Sequence, residues 1–237
     1  MTLYENRRSG SYEVVALLTT MTRDFDRISM HGVRGTLLEM QGEAIGLPIE
    51  EVWIGKNASN TEYESQTKAA LEKYKLTGVR DVLFGDLFLQ EIRRYREERL
   101  AGIGMNAVFP IWKRETTALA HLFVDEGFRA IVCCIDPRFL DKKFCGMEFD
   151  EAFLSRLPPR VDPCGENGEF HTFVYDGPVF KNAIQVKVGE VVLRDGFYFA
   201  DILPVDSNPV VADMESGGRL EAESGDALNS SDSPQQG

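Results

Sequence analysis

The sequence has few of the features that mark nucleic-acid-binding, membrane-spanning or disulfide-stabilised proteins. Its 237 residues carry 26 lysines and arginines against 38 aspartates and glutamates, so the net charge of −12 lacks the basic excess of a nucleic-acid surface. No run approaches the roughly 20 apolar residues that span a bilayer. The four cysteines form no Cys-x-x-Cys pair, and the first residues lack a signal-peptide pattern. We therefore expect a cytoplasmic protein with no nucleic-acid and no membrane partner.

The last segment, residues 206–237, has no aromatic residue and is strongly acidic. It holds seven acidic residues and one arginine, so half of the net charge of −12 lies there. A segment rich in Ser, Gly, Asp and Glu cannot offset its ordering entropy by burial. We therefore predict a disordered acidic tail.

Residues 1–138 alternate short β-rich runs with helical patterns. The apolar run Val14–Thr20 is typical of a strand that is buried on both faces of a parallel sheet. Further strands are predicted at 52–54, 82–84, 107–109 and 128–135, and helices at 34–45, 61–76, 87–100 and 116–126 separate them. This alternation predicts an α/β fold with a Rossmann-like parallel sheet and helices on both faces, which serves as a nucleotide-binding domain.

The pattern changes after about Asp136. Pro158-Pro159 and the Gly-rich run 162–168 interrupt it, and strand-like segments follow at 170–175, 185–193 and 197–200. We predict a smaller, substrate-binding α+β domain at 139–205, between the first domain at 1–138 and the tail at 206–237.

Four motifs along the chain carry a family resemblance. The longest is Cys164-Gly165-Glu166-Asn167-Gly168-Glu169-Phe170-His171-Thr172-Phe173-Val174, followed by Asp176-Gly177-Pro178-Val179-Phe180. Upstream of it, in order, stand Ser29-Met30-His31-Gly32-Val33, then Gly85-Asp86-Leu87 with Arg93 and Arg96-Glu97, then Phe109-Pro110-Ile111-Trp112. Together these motifs resemble the diphthine–ammonia ligase family, also described as adenine nucleotide alpha hydrolase-like ATP-binding proteins. The resemblance runs from the first residues to about Asp201.

One motif of the family has no counterpart in the sequence. Family members begin with a strand that carries Ser-Gly-Gly-Lys-Asp-Ser, a loop whose N–H groups and lysine would hold ATP phosphates. Ser9-Gly10-Ser11 lacks the lysine, and Met1–Arg8 reads as the middle of a helix. We expect that the chain starts at an internal methionine of a longer gene, and a loop-less paralogue is the alternative. The DNA upstream of Met1, read in frame, distinguishes the two.

The resemblance implies an enzyme, an ATP-dependent carboxylate–amine ligase that releases AMP and uses ATP, Mg²⁺ and ammonia. Diphthamide-forming members more often read Gly-Gly-Glu and then Glu-Thr where this chain has Asn167 to Thr172. The His-containing version resembles a bacterial branch, so we expect an unidentified carboxylate substrate other than diphthine, and a homodimer as a candidate assembly. The alternatives are an inactive paralogue or binding module, or another ATP-using adenylation or hydrolysis.

The longest motif supplies the catalytic candidates, which are Glu166, Glu169 and His171. If a strand starts at Glu169, that side chain and His171 point to the same face, where a carboxylate and an imidazole could orient an ammonium ion or remove its proton. The resemblance makes Asn167, Gly168 and Thr172 candidate substrate contacts. Without it, the motif reads as a Gly-rich turn whose polar side chains cap the backbone.

The remaining candidates follow strands of the predicted parallel sheet. Ser29, Met30 and His31 come after the first strand and are predicted nucleotide contacts, because ligands bind at this side of such sheets. Gly85-Asp86 end another strand and are also assigned to the nucleotide, while Asp86 could bind Mg²⁺, cap the next helix, or do both. On that helix Arg93, Arg96 and Glu97 share one face, as a solvated ion pair or as a clamp for phosphate or the substrate carboxylate. With three histidines and no second cysteine near Cys164, we expect no zinc site and assign no residue as a resident metal ligand.

Overall fold

A computed structural model of the chain describes residues 1–205, and the predicted acidic tail lies outside the described residues. Six α-helices and nine β-strands occur in the described part, with a short 3₁₀-helix at Lys142–Phe144. In chain order they are α1 (Thr2–Ser9), β1 (Leu17–Thr22), β2 (Arg27–Ile28), α2 (Gly35–Ile45), β3 (Ile49–Ile54), α3 (Asn60–Leu76), β4 (Asp81–Leu83), α4 (Gln90–Ala101), β5 (Asn106–Val108), α5 (Thr116–Asp125), β6 (Arg129–Ile135), α6 (Glu151–Leu154), β7 (Phe170–Asp176), β8 (Val186–Arg194) and β9 (Phe197–Pro204).

The first sheet has the order β2-β1-β3. Strand β1 pairs in parallel with β3 along its whole length, from Leu17 opposite Ile49 to Thr22 opposite Ile54. Helix α2 connects the two strands and ends at Gly46, which adopts a left-handed conformation with φ 78° that glycine tolerates without strain. The short β2 adds an antiparallel edge, so that the turn after it lies beside the carboxyl end of β1.

The second sheet consists of β4 and β5, which pair in parallel and are connected by α4. The two parallel pairs confirm a mixed α/β fold in which helices alternate with strands. They form separate sheets among the described residues, so the continuous Rossmann-like sheet remains a prediction. No helix in residues 1–205 combines the length and apolar character that a membrane crossing requires.

The third sheet is antiparallel, with the order β7-β6-β9-β8. The strand predicted at 128–135 is confirmed as β6, but the expectation that it continues the parallel sheet is wrong, because β6 pairs antiparallel with β7 and β9. A run of apolar residues predicts burial on both faces, and this holds here since Ala130–Ile135 are all buried. A strand that is buried on both faces can lie in a parallel or an antiparallel sheet, so the apolar pattern does not predict which strands pair with β6.

The main core packs against this antiparallel sheet. Phe144, Phe149, Phe153 and Phe170 are buried and form edge-to-face and tilted ring pairs with centroids 5.3 to 6.1 Å apart. All described residues lie in one compact unit, so the boundary placed at residue 138 remains a prediction. The buried ring of Phe170 anchors the first residue of β7 in this core. The end of the Gly-rich run, which precedes the strand, is therefore anchored as well.

A second, smaller core connects two of the sequence motifs. Leu87, Ile111 and Leu119 are buried together, and Cys164 packs against them. Leu87 belongs to the Gly-Asp-Leu motif, and Cys164 opens the longest motif. The core therefore brings the loop at 162–169 to the carboxyl end of β4, where a ligand site is expected in a parallel sheet.

Candidate functional site

Two carboxylates organise the loop at 162–169. Oδ1 of Asp162 accepts hydrogen bonds from the backbone N–H groups of Cys164 (2.9 Å) and Glu166 (3.2 Å). The side chain of Glu169 is fully buried, and its carboxylate accepts three hydrogen bonds, from the N–H of Asp162 (3.0 Å) and from the N–H (3.0 Å) and Nδ2 (2.9 Å) of Asn167. Three donors offset the cost of burying the charge, so Glu169 holds the loop closed on itself.

Glycines make this loop compact. Gly165 has φ 68° and Gly168 has φ 82°, so both adopt the left-handed conformation expected for them. A Cβ at position 165 would lie 2.7 Å from the carbonyl oxygen of Phe170, whereas position 168 faces open space. Gly165 is therefore required for close packing as well as for backbone conformation.

Alternation along a strand predicts that Glu169 and His171 lie on the same face, but the two side chains have different surroundings. Strand β7 begins at Phe170, one residue after Glu169. Glu169 is buried beneath the loop, while His171 is partly buried on the strand opposite Cys134. Thr172, a predicted substrate contact, is likewise partly buried and lies opposite Val132. The catalytic roles of Glu169 and His171 remain predictions, and the described contacts of Glu169 are those of a residue that positions the loop.

Glu166 links the longest motif to the Gly-Asp-Leu motif. Its Oε1 accepts hydrogen bonds from the backbone N–H groups of Leu87 (2.7 Å) and Phe88 (3.3 Å), 79 and 78 residues earlier. Burial raises the pKa of the Glu166 carboxyl, and the charge of Asp86 raises it further, against the opposing effect of the backbone N–H groups. The structure thus brings together two predicted site residues, a catalytic and a nucleotide-binding candidate.

Asp86 binds an arginine and does not cap the next helix. Its carboxylate accepts from Nε of Arg96, at 3.1 Å for Oδ1 and 2.9 Å for Oδ2. Helix α4 begins at Gln90 after Leu89, with no side-chain hydrogen bond at its N-cap, so the capping interpretation of Asp86 is wrong. Gly85 adjoins α1, since a Cβ there would lie 3.5 Å from Oγ1 of Thr2.

Arg93 packs against two aromatic rings of the Phe-Pro-Ile-Trp motif, which meet edge-to-face with centroids 5.8 Å apart. Its guanidinium carbon is 4.9 Å from the ring centroid of Phe109 and 4.8 Å from that of Trp112, and its Nε donates to Oε1 of Glu97 at 2.7 Å. The predicted ion pair along α4 is confirmed for Arg93 and Glu97, whereas Arg96 pairs with Asp86. The two rings were not among the predicted site residues, although Phe109 directly follows β5, at the edge where ligands bind in parallel sheets.

The Ser-Met-His-Gly motif forms a tight turn after β2. The N–H of Gly32 donates to the carbonyl of Ile28, and the N–H of Ile28 donates to the carbonyl of Val33. Met30 and Gly32 have φ values of 64° and 69°. The hydroxyl of Ser29 is 2.9 Å from that of Thr22, which joins the turn to the end of β1 as expected. Met30 is 58% exposed, so its side chain is free to contact a ligand.

The same turn brings His31 onto His171. Their ring centroids are 4.6 Å apart with an interplanar angle of 40°, and Nδ1 of His31 lies 3.1 Å from the carbonyl of Ser29. Burial lowers the pKa of His31, while burial and the proximity of His31 lower the pKa of His171 to about 4. Both imidazoles are therefore neutral near pH 7, and each ring can accept a proton or a hydrogen bond.

An ion-pair group missed in the sequence fixes this turn to the antiparallel sheet. Arg34 donates from Nε (3.1 Å) and Nη2 (2.6 Å) to Asp201 of β9, and both Nη atoms of Arg27 donate to the same carboxylate at 3.1 Å. Burial by itself would raise the pKa of Asp201, but the hydrogen bonds from Arg34 and Arg27 lower it below its usual value. Charge-assisted and bidentate contacts of this kind hold a precise geometry.

Comparison with known proteins covers nearly the whole described part of the chain. Residues 115–202 match the family model described as "Diphthamide synthase C-terminal domain". The chain is similar to proteins named diphthine–ammonia ligase from Danio rerio (26% identical over 219 residues, 82% of this chain and 84% of that protein), Bos taurus (27% over 180 residues, 70% and 67%) and Schizosaccharomyces pombe (26% over 203 residues, 78% and 34%). The chain thus spans about a third of the length of the Schizosaccharomyces pombe protein. These matches confirm the resemblance that the four motifs indicate.

Proposed function

We propose, from its similarity to the diphthine–ammonia ligases, that this chain takes part in the ATP-dependent formation of an amide from a carboxylate and ammonia. The observation that carries the proposal is the hydrogen bonding of Glu166 to the backbone of Leu87 and Phe88. This contact assembles carboxylates, arginines and aromatic rings from three motifs at the carboxyl ends of β4 and β5. Such an edge of a parallel sheet is where ligands bind.

The reaction has two steps. An oxygen of the substrate carboxylate attacks the α-phosphorus of ATP, which forms an acyl-adenylate and releases pyrophosphate. The nitrogen of ammonia then attacks the acyl carbon, the bond from that carbon to the phosphate oxygen breaks, and the products are the amide, AMP and a proton. Adenylation is needed because amide formation from a carboxylate and ammonia is uphill in water.

The Glu166 carboxyl suits the second step. It stands near Asp86, whose charge is balanced by Arg96, so the Glu166 carboxylate supplies the negative charge that favours an ammonium ion. Oε1 of Glu166 accepts from the N–H groups of Leu87 and Phe88, and the backbone of Leu89 also hydrogen-bonds this carboxyl. A raised pKa brings this carboxyl nearer to neutral pH, where a general base works best.

Other residues are assigned supporting roles in the proposal. Glu169 and Asn167 keep the loop closed and so position Glu166, with Gly168 providing the turn. His171 and His31 are neutral and can accept a hydrogen bond or a proton from a bound substrate or nucleotide. Ser29, Met30 and Gly85 are retained as nucleotide contacts, and Thr172 as a substrate contact. Diphthamide-forming members more often have Glu-Thr where this chain has His171 and Thr172. This difference supports a substrate other than diphthine.

Mg²⁺ enters the proposal only as the partner of the ATP phosphates. Residues 1–205 contain no group of three or more His, Cys, Asp or Glu side chains that could hold a metal ion.

Pyrophosphate exchange tests the proposal. The chain, extended by the upstream in-frame residues where these encode the Ser-Gly-Gly-Lys-Asp-Ser loop, is incubated with ATP, Mg²⁺, labelled pyrophosphate and a panel of carboxylates, and incorporation of label into ATP reports adenylation. We expect exchange that depends on one class of carboxylate, and AMP with amide once ammonia is added. Glu166→Gln keeps an oxygen for Leu87 and Phe88 but loses the base, so we expect exchange to persist while amide formation falls by about 10².

Glu98→Gln is the matched control, because Glu98 is exposed on α4 and forms no ion pair among the described residues. It should leave both steps unchanged. If no carboxylate supports exchange or AMP release above the background without protein, the ligase proposal fails for this chain and the binding-module alternative gains support.

A further inference from the structure

Two arginines lie on one face of α4, and among the described residues each donates a hydrogen bond only from Nε. Arg96 donates to Asp86, and its guanidinium carbon is 4.4 Å from the ring centroid of Phe84. Arg93 donates to Glu97, and both arginine side chains are 31% exposed. The terminal Nη groups of both arginines can therefore still bind an anion, and Arg93 is the one of the two that contacts two aromatic rings.

We propose that Arg93, Phe109 and Trp112 form the binding site for the acceptor substrate, a single carboxylate carried on a flat, apolar or aromatic body. The proposal rests on the proposed function and names the class of its unidentified substrate. It also assigns the two aromatic rings a role in specificity. The packing of Arg93 against both Phe109 and Trp112 carries the proposal, with 4.9 and 4.8 Å between its guanidinium carbon and the two ring centroids.

The contacts of Arg93 determine how it meets a ligand. Its guanidinium packs against two rings that meet edge-to-face, with centroids 5.8 Å apart and an interplanar angle of 62°, and Glu97 holds the Nε edge. The remaining donors lie in the plane, on the two terminal nitrogens, and they match the two oxygens of a carboxylate in a bidentate contact. An arginine held in this way loses little additional side-chain entropy on binding, because its rotamer is already fixed.

Local charge favours a carboxylate over a phosphate. Arg93 is balanced by Glu97 and Arg96 by Asp86, while Glu166 adds a further negative charge. This group therefore has a net charge of about −1 before any ligand binds, so a phosphate of charge near −2 would be repelled more strongly than a singly charged carboxylate.

The surroundings of Arg93 favour an apolar body for the ligand. Phe84 and Phe109 follow neighbouring parallel strands and stack with centroids 5.5 Å apart. Phe88 is 42% exposed and donates its N–H to Glu166. A flat substrate lying on the two stacked rings would present its carboxylate, the group that is adenylated, to Arg93.

Tryptophan fluorescence provides a direct test that needs no turnover. The chain has two tryptophans, and Trp53 lies in β3 of the other parallel sheet, so Trp53→Phe leaves Trp112 as the only tryptophan reporter. The Trp53→Phe protein is titrated with benzoate, with benzyl alcohol as the neutral analogue, with acetate as the carboxylate without a ring, and with AMP as the nucleotide phosphate. We expect saturable quenching by benzoate, and binding of the other three that is at least about tenfold weaker.

Variants identify the arginine that binds. In the Trp53→Phe background, Arg93→Gln should weaken benzoate binding by at least about tenfold. Arg94→Gln is the matched control, since Arg94 is exposed on the same helix and has no hydrogen bond or ion pair among the described residues, and it should leave benzoate affinity unchanged. Unchanged far-UV circular dichroism verifies that each variant is folded.

Three results would overturn the proposal: no saturable response to benzoate, binding of benzyl alcohol as tight as that of benzoate, or Arg93-dependent binding of AMP without binding of benzoate. The last result would assign the site to the nucleotide phosphate. None of these titrations depends on adenylation. If benzoate binds but pyrophosphate exchange fails, the ligase function is ruled out and the carboxylate site is kept. If exchange occurs but benzoate does not bind, the ligase function is kept and the carboxylate site is ruled out.

Discussion

The imidazole rings of His31 and His171 lie 4.6 Å apart, one in the turn after β2 and the other in β7. The sequence assigns them to different parts of a site, one to the nucleotide and one to catalysis. Their contact shows that the turn and the antiparallel sheet form one surface. Two imidazolium ions at this distance would repel each other and lose hydration, so the pair is stable only while at least one ring is neutral.

The first prediction concerns pH and stability. The pKa of His171 is about 4 in the folded chain, below the ordinary value of 6.5, so the unfolded state binds the proton first as the pH falls. The contribution of this neutral histidine to stability is complete above pH 6.5 and is lost progressively between pH 6.5 and 4. It should amount to on the order of 1 to 3 kcal/mol. Urea unfolding at several pH values between 7.5 and 4.5 measures it.

His171→Gln separates this effect from general acid unfolding. The variant should show a flatter decline of unfolding free energy over the same pH range than the unaltered chain. His121→Gln is the matched control, because His121 is an exposed histidine on α5 that pairs with Glu151. Identical pH slopes for the unaltered chain and for His171→Gln would show that His171 is protonated equally in both states.

The second prediction compares the two glutamates of the longest motif. In Glu169→Gln the amide NH₂ would face the N–H of Asp162 or the donors of Asn167, and one buried donor would lose its acceptor. We expect a loss of about 1–3 kcal/mol in unfolding free energy. Glu166→Gln keeps an acceptor for its two backbone partners, so its unfolding free energy should change by less than about 1 kcal/mol.

Chemical denaturation of both variants tests this difference, together with ATP–pyrophosphate exchange. A role in positioning predicts that Glu169→Gln loses stability and weakens every step to a similar extent. If Glu169→Gln were as stable as the unaltered chain and failed only in amide formation, Glu169 would be a catalytic base, as first predicted from the motif.

Local elements were predictable from sequence, and long-range partners were not. The helices predicted at 34–45 and 61–76 occur at Gly35–Ile45 and Asn60–Leu76, because caps and periodicity are local signals. The direction of β6 and the binding of Glu166 to a backbone 79 residues away depend on packing between distant segments. The family motifs contain residues that contact one another in the fold, but the contacts themselves could not be predicted from the motifs.

Asp86 and Glu169 illustrate why roles are harder to predict than positions. An Asp between a strand and a helix is most often a cap, yet the helix here begins beyond Asp86 at Gln90, which leaves the carboxylate to Arg96. Strand alternation placed Glu169 beside His171, but Glu169 lies before the start of β7, in the bend that ends the loop. The alternation of side chains between two faces holds only within a strand.

The third prediction uses the two glycines of the longest motif. Both have positive φ values, so an alanine at either position strains the backbone by a similar amount. Only at position 165 would the new Cβ also collide with the backbone, at 2.7 Å from the carbonyl oxygen of Phe170. Gly165→Ala should therefore cost about 1–3 kcal/mol more than Gly168→Ala in unfolding free energy. Equal losses would indicate that the loop adjusts around the collision.

The last prediction links the arginine–aspartate group to the histidine pair. Asp201 binds Arg27 and Arg34, which flank the turn that carries His31. Asp201→Asn removes the charge that both arginines share, so two partly buried guanidinium groups would lose their counterion. We expect a loss of about 1–3 kcal/mol in unfolding free energy, measured by urea denaturation.

The same variant should also loosen the turn and admit water to the rings, which raises the pKa of His171 from about 4 towards the ordinary value of 6.5. Titration of the histidine ring protons by NMR measures this change directly. Asp195→Asn is the matched control, since Asp195 is 54% exposed and pairs only with Lys56. A destabilised Asp201→Asn protein with an unchanged His171 pKa would show that contacts other than the Asp201 ion pairs hold His31 against His171.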